Sequence, residues 1–113
     1  MTGAVGPAYD RDKLVELFGD DPAMLAEVER EFLETARTAE REIGGTDDLL
    51  VIARAAHRLK GASGMIGAEA LRRLAEAVER AARTGSLAGV RRLCARFEAE
   101  IRRVAQQASI ELS

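Results

Sequence analysis

The chain contains a single histidine, His57, in the stretch AHRLKGASGMIG. Lys60 and Gly61 follow it closely, and Arg54 and Arg58 flank it. On a helix, residues three, four and seven apart stack on one face, which groups His57 with Lys60, Gly61 and Gly64. Neutral imidazole is a good nucleophile near neutral pH, and histidine can form covalent intermediates that split one transfer into two. Lysine adds a mobile cation with three donors, suited to an anion beside the ring. Glycine inside a helix costs about 1 kcal/mol relative to alanine, so Gly61 and Gly64 call for a reason. Room is the physical one: with no side chain at Gly61, something bulky can approach the imidazole, and Gly64 extends the clearing by a turn. A phosphoryl group fits, since it carries close to two negative charges and its transfer needs mainly positioning and charge stabilisation.

Taken singly, these residues have plainer readings. A lone helical histidine is usually incidental. Gly61 and Gly64 could serve close helix packing, and Lys60, Arg54 and Arg58 could be a solvated face. Met24 and Met65 read as packing or rim residues. It is the joint spacing on a face away from the core that favours chemistry. One histidine without cysteines or carboxylates at ligand spacing gives no metal site. The lone Cys94 excludes an internal disulfide and reads as a small buried hydrophobe.

The elements that must position His57 follow from periodicity. A short helix from Tyr9 has Leu14, Leu17 and Phe18 as its apolar side, and Gly19 stops it. Asp21 and Pro22 start a second helix by capping and first-turn preference. Leu25, Val28, Phe32, Ala36, Ala39 and Ile43 give it an apolar stripe over about six turns. Its outer face carries Glu27, Glu31, Glu34, Arg37 and Arg41, and Gly44-Gly45 ends it. Thr46 or Asp47 can cap a third helix with the stripe Leu49, Ile52, Ala56, Leu59, Ser63 and Ile66. His57 lies about 120° from the centre of that stripe, pointing outward or sideways. Gly67 marks a boundary before a fourth helix with Leu71, Leu74, Val78 and Ala81. Thr84-Gly85-Ser86 is a turn, and one last helix carries Val90, Leu93, Phe97, Ile101 and Val104. Short connections favour antiparallel neighbours. The expected fold class is all-α, an up-down-up-down antiparallel four-helix bundle with a short extra N-terminal helix. Residues 1–8 read as a flexible N-terminus, 9–108 as the bundle domain and 109–113 as a tail.

Composition agrees. The 113 residues suffice for one domain, with 47% hydrophobic, 4% aromatic and 32% charged residues. A net charge of -2 argues against a nucleic-acid footprint. No apolar run is long enough to cross a bilayer. The opening MTGAVGPAYD lacks the basic region and apolar stretch of a secretory signal, so a cytoplasmic protein is expected.

The stretch H-R-L-K-G-A-S-G-M-I-G resembles the signature of histidine-containing phosphotransfer (HPt) domains, in which H-x-L-K-G is followed by small residues and a later glycine. His57, Leu59, Lys60, Gly61, Ser63 and Gly67 fall in matching places, while Ala62 stands where many members have serine. LVELFGDDPAMLAEVEREFLETA looks like the family's opening helices and RTGSLAGVRRLCARFE like its last hairpin, so the resemblance spans roughly Lys13 to Val104. It implies a phosphorelay carrier without an ATP site of its own. His57 would take a phosphoryl group from a receiver-domain aspartate or a histidine kinase and pass it to a response-regulator receiver. Lys60 would screen phosphoryl charge and Gly61 would leave space for the receiver. The acidic pocket and Mg²⁺ would belong to that receiver, so this chain carries no cofactor. A polar residue of the following helix supports the imidazole in some members; Glu76 and Glu79 are the candidates here. Partner docking is expected around His57 through Arg54, Arg58, Gly64 and Met65, with exposed residues of the second helix beside them. A monomer is expected, in contact with neither nucleic acid nor membrane. Two other readings stand: a helical interaction module that never carries phosphate, and the phosphorylatable domain of a larger chemotaxis-type kinase.

Overall fold

A computed structural model describes residues 6–112. Every regular element among them is helical: α1 (Arg11–Phe18), α2 (Pro22–Gly44), α3 (Leu49–Met65), α4 (Glu69–Arg83), α5 (Leu87–Cys94) and α6 (Phe97–Ala108). No helix of the described residues is long and apolar enough to cross a membrane.

Local chemistry sets the helix starts. Asp10 caps α1 by accepting from the Lys13 N–H, and Asp21 caps α2 by accepting from the Ala23 N–H, with Pro22 in the first turn. Asp48, rather than Thr46 or Asp47, caps α3, accepting from the Leu50 and Val51 amides. Thr46 instead accepts from the Asp48 N–H, which fixes the approach to the cap. The helix ends are equally local. After α3 the Ala68 amide returns to the Ser63 carbonyl and the Gly67 amide to Gly64, the paired bonds of a Schellman turn. Gly67 sits at φ +69°, and a Cβ there would lie 2.6 Å from Asp10 Cβ, so left-handed backbone and close approach both require glycine. The same paired bonds close α4 at Gly85 and α6 at Ser109.

The apolar stripes of α2, α3, α4, α5 and α6 merge into one core. Its largest fully buried side chains include Tyr9, Leu14, Leu25, Ile43, Ile52, Leu59, Leu71, Phe97 and Ile101. α3 packs between α2 and α4, and α6 returns to α2 and α4. Arg91 ties this frame together: its guanidinium donates to the carbonyls of Ile43 and Thr46 and to the Asp47 carboxylate, neutralising the C-terminal end of α2.

Three expectations need correction. The first helix begins at Arg11, and Tyr9 is a buried anchor ahead of it, only 1% exposed. Of the apolar side assigned to that helix only Leu14 is buried; Leu17 and Phe18 are exposed. The expected single last helix is two segments broken at Ala95-Arg96. There the Arg96 amide reaches back only three residues, to the Leu93 carbonyl, in a tightened turn that needs neither glycine nor proline.

Residues 1–5 and 113 lie outside the described residues, so most of the expected flexible N-terminus does too. Ala8 is buried, with its amide on Gln107 Oε1 at 2.6 Å, and Gln107 Nε2 donates to the Tyr9 carbonyl at 3.0 Å. The Tyr9 hydroxyl donates to the buried Glu29, which also takes Arg11 at 3.1 Å. Burial, then the Glu29 carboxylate, push the Tyr9 hydroxyl well above the ordinary phenol range. Past α6, Ile110 and Leu112 fold back half-buried against the core.

Candidate functional site

α3 presents two kinds of surface. Ile52, Ala53, Ala55, Ala56, Leu59 and Ser63 are buried, which turns His57, Arg54, Arg58, Gly61 and Met65 outward. The His57 side chain is 63% exposed, yet it is not loose. Its Nδ1 lies 3.0 Å from Oε2 of Glu79, on the facing side of α4.

Glu79 is the centre of the site. It is only 7% exposed, and burial by itself would raise its carboxyl pKa. Hydrogen bonds from Lys60, Arg83 and His57 outweigh that and hold it down at about 2. Lys60 Nζ reaches Oε1 at 2.8 Å, while Arg83 reaches Oε2 through Nε at 3.2 Å and Nη2 at 3.0 Å. An ionised carboxylate only accepts hydrogen bonds, so the proton of the pair sits on His57 Nδ1. In the neutral ring the lone pair is then on Nε2, which forms no hydrogen bond among the described residues. The ring is thus exposed and fixed from behind by Glu79.

The candidates named from sequence separate on this frame. Gly61 lies next to the ring on the open face, and a Cβ there would meet nothing within 4 Å. Lys60 is on the α4 side and is not a mobile cation, because Glu79 holds it. Gly64 does not extend the clearing. It is half-buried, its carbonyl takes Lys13 Nζ at 2.8 Å, and a Cβ would stand 3.6 Å from Arg72 Cδ. Arg54 is exposed, and Arg58 pairs with Glu42 of α2 at 2.6 Å. Met65 is 56% exposed at the C-terminal end of α3. It lines an apolar groove with Phe18, Val28, Phe32 and Ala62, on the α2 side of the histidine.

Of the two carboxylates considered for the imidazole, Glu79 meets it. Glu76 faces Arg72 at 3.7 Å and Arg80 at 4.0 Å instead. Arg83 was not foreseen. Its only sequence signal is the Glu79/Arg83 spacing of four along α4, which any exposed helical ion pair shares. Cys94 stands apart from the site, half-buried, with its thiol pushed up by burial.

Residues 23–107 match the family model described as the Hpt domain. No curated protein and no solved structure matches the chain.

Proposed function

The chain belongs to the Hpt domain family, whose part in two-component signalling is phosphotransfer, and from that premise we propose that His57 is its phosphoryl-carrying residue. The observation that supports this most directly is the His57–Glu79 pair: an exposed imidazole anchored at Nδ1, with Nε2 free beside the open space at Gly61. In this reading the described helices work as an up-down-up-down antiparallel four-helix bundle. The domain acts as a monomeric, cytoplasmic carrier rather than as an enzyme.

The chemistry follows from the geometry. Nε2 attacks the phosphorus of an acyl phosphate on a receiver aspartate, or of a phosphohistidine on a kinase. A P–N bond forms as the P–O or P–N bond to the donor breaks, and the donor leaves with that electron pair. His57 keeps its Nδ1 proton, so the ring becomes positive as it takes the phosphoryl group. The Glu79 carboxylate, 3.0 Å behind it, balances that charge. Lys60 stays on Glu79 at the side of the site and lends its charge to the phosphoryl oxygens from there. Transfer to a receiver aspartate runs the same steps in reverse. The acidic pocket and Mg²⁺ reside in the receiver. The partner approaches over Gly61, with Arg54, Arg58 and Met65 at the contact.

The test is direct. Wild type and His57→Gln are incubated with phosphorylated receivers and kinases of the source organism. Acid-labile, base-stable label on wild type only is the expected result. Equal label on both proteins, or none on wild type from any donor that binds it, overturns the assignment.

A further inference from the structure

Two clefts run side by side between α2 and α3, and Glu31 and Thr35 line both. One is the apolar groove of Phe18, Val28, Phe32, Ala62 and Met65. The other is polar and includes Glu34, Glu42 and Arg58. The charges around them are unevenly compensated. Glu42 is neutralised by Arg58 at 2.6 Å, and Glu29 by Arg11 at 3.1 Å. Glu40 pairs with Arg37, whose other bond goes to Glu98 of α6. Glu69, Glu76 and Glu79 of α4 all have arginine or lysine partners.

Among the glutamates of α2, Glu27, Glu31 and Glu34 are the exception. They project along the exposed face of α2 and form no ion pair among the described residues. Arg30 lies one turn from Glu34 without pairing to it, and Arg37 is committed to Glu40 and Glu98. Like charges a turn apart on a helix destabilise it by roughly 0.2–0.5 kcal/mol per pair, so this row does nothing for the fold. Glu31 lines the apolar groove, in which Met65 and Phe18 remain 56% and 40% exposed, and Glu34 lines the polar cleft beside it. On α3 the exposed Arg54 lies one turn before His57 and forms no ion pair among the described residues, whereas Lys60 is already held by Glu79 on the α4 side.

We propose that this face selects, among receivers, one whose contact surface carries an apolar knob edged by lysine or arginine. The knob enters the groove of Phe18, Val28, Phe32, Ala62 and Met65, and the cationic edge meets Glu31 and Glu34. The charge order also sets orientation. With Glu31 and Glu34 exposed on α2, the partner's acidic acceptor pocket comes over His57 only when its basic edge lies over α2. The opposite orientation sets that acidic pocket against Glu31 and Glu34. The inference rests on the carrier reading above and adds the chemistry of the partner surface.

The experiment keeps the two apart. The full chain is loaded at His57 with phosphoramidate, a small donor, and loading is read by ³¹P NMR. Transfer from loaded wild type, Glu31→Lys/Glu34→Lys and Glu31→Gln/Glu34→Gln is then timed against the receivers of the source organism, at low and at roughly 0.5 M salt. Circular dichroism checks that each variant keeps its helices. The expected result is about a tenfold loss of transfer rate for the double lysine variant at low salt, with the glutamine variant between. The gap closes towards twofold at high salt, because screening shortens the reach of exposed charges. Reversing the basic edge of the fastest receiver restores the rate. Rates within twofold of wild type at low salt overturn the inference and leave the carrier reading standing. A loss that persists at high salt shows a shape effect and also overturns it. A wild-type chain that loads at His57 but passes phosphoryl to no receiver removes the carrier reading, and this inference with it.

Discussion

His57 Nδ1 and Glu79 Oε2 lie 3.0 Å apart, joining α3 to α4 across 22 positions of sequence. One carboxylate thereby fixes the orientation of the imidazole and the location of its proton. It also holds Lys60 and Arg83, so a single residue organises the imidazole and the two cationic side chains beside it.

Glu79→Gln tests that arrangement. The amide keeps the shape but loses the negative charge, and hydrogen bonds to charged groups contribute about 1.5–3 kcal/mol. Phosphoryl acceptance by His57 should slow by roughly ten- to a hundredfold. Nitrogen-15 NMR of the ring should also show Nδ1–H giving way to a mixture of tautomers. An unchanged rate together with unchanged tautomers means that Glu79 does not position the ring.

The same carboxylate predicts a pH dependence of stability. Its pKa is held at about 2, against an ordinary value of 4.5, so the folded chain binds that proton later than the unfolded chain does. Its contribution is complete above about pH 4.5 and fades as the pH falls towards 2. Urea unfolding of wild type and Glu79→Gln should therefore show a stability gap near neutrality that narrows across this acid range. Glu69 and Glu98 are depressed as well, but the subtraction leaves them out because both proteins carry them. A gap that stays constant from neutral pH to about 2.5 would contradict the depressed pKa.

Much of this was legible in the sequence, and the parts that were not share a cause. Periodicity reports which face of a helix is apolar, so the stripe Ile52, Ala56, Leu59 and Ser63 is buried and His57 is outside. It does not report how a neighbouring helix is rotated. Glu76 and Glu79 lie on nearly the same side of α4, and only the packing of α3 on α4 gives the imidazole to Glu79. The same packing turns Lys60 from a free cation into a held one. The break at Ala95-Arg96 left no trace because a tightened turn can form from ordinary helix residues. Tyr9 was misplaced because its burial depends on Glu29 and Gln107, far away in sequence.

Two glycines of the motif region should respond with opposite signs. Gly61→Ala puts a methyl group into open space on a helix interior and should stabilise by up to about 1 kcal/mol. Gly67→Ala forces a side chain into left-handed backbone and towards Asp10 Cβ at 2.6 Å, and should cost at least about 1–2 kcal/mol. Urea midpoints measure both. A destabilising Gly61→Ala would mean that the space beside His57 is not open, and a neutral Gly67→Ala would mean that the Asp10 segment moves aside freely.

Ser63 gives a prediction that separates fold from function within one motif. It is fully buried in the α3 stripe, and its hydroxyl has no hydrogen-bond partner among the described residues. A buried polar group without a partner costs about 1–3 kcal/mol, and serine is a poorer helix former than alanine. Ser63→Ala should therefore raise stability by about 1 kcal/mol, read as a higher urea midpoint with an unchanged slope. Because the side chain points into the core while His57 points out, phosphoryl acceptance and transfer should stay within twofold of wild type. A less stable variant means that the hydroxyl makes a bond worth keeping, such as one to the Leu59 carbonyl a turn earlier. An equally stable variant with impaired transfer means instead that Ser63 acts on the neighbouring turn of α3 and reaches the histidine through it.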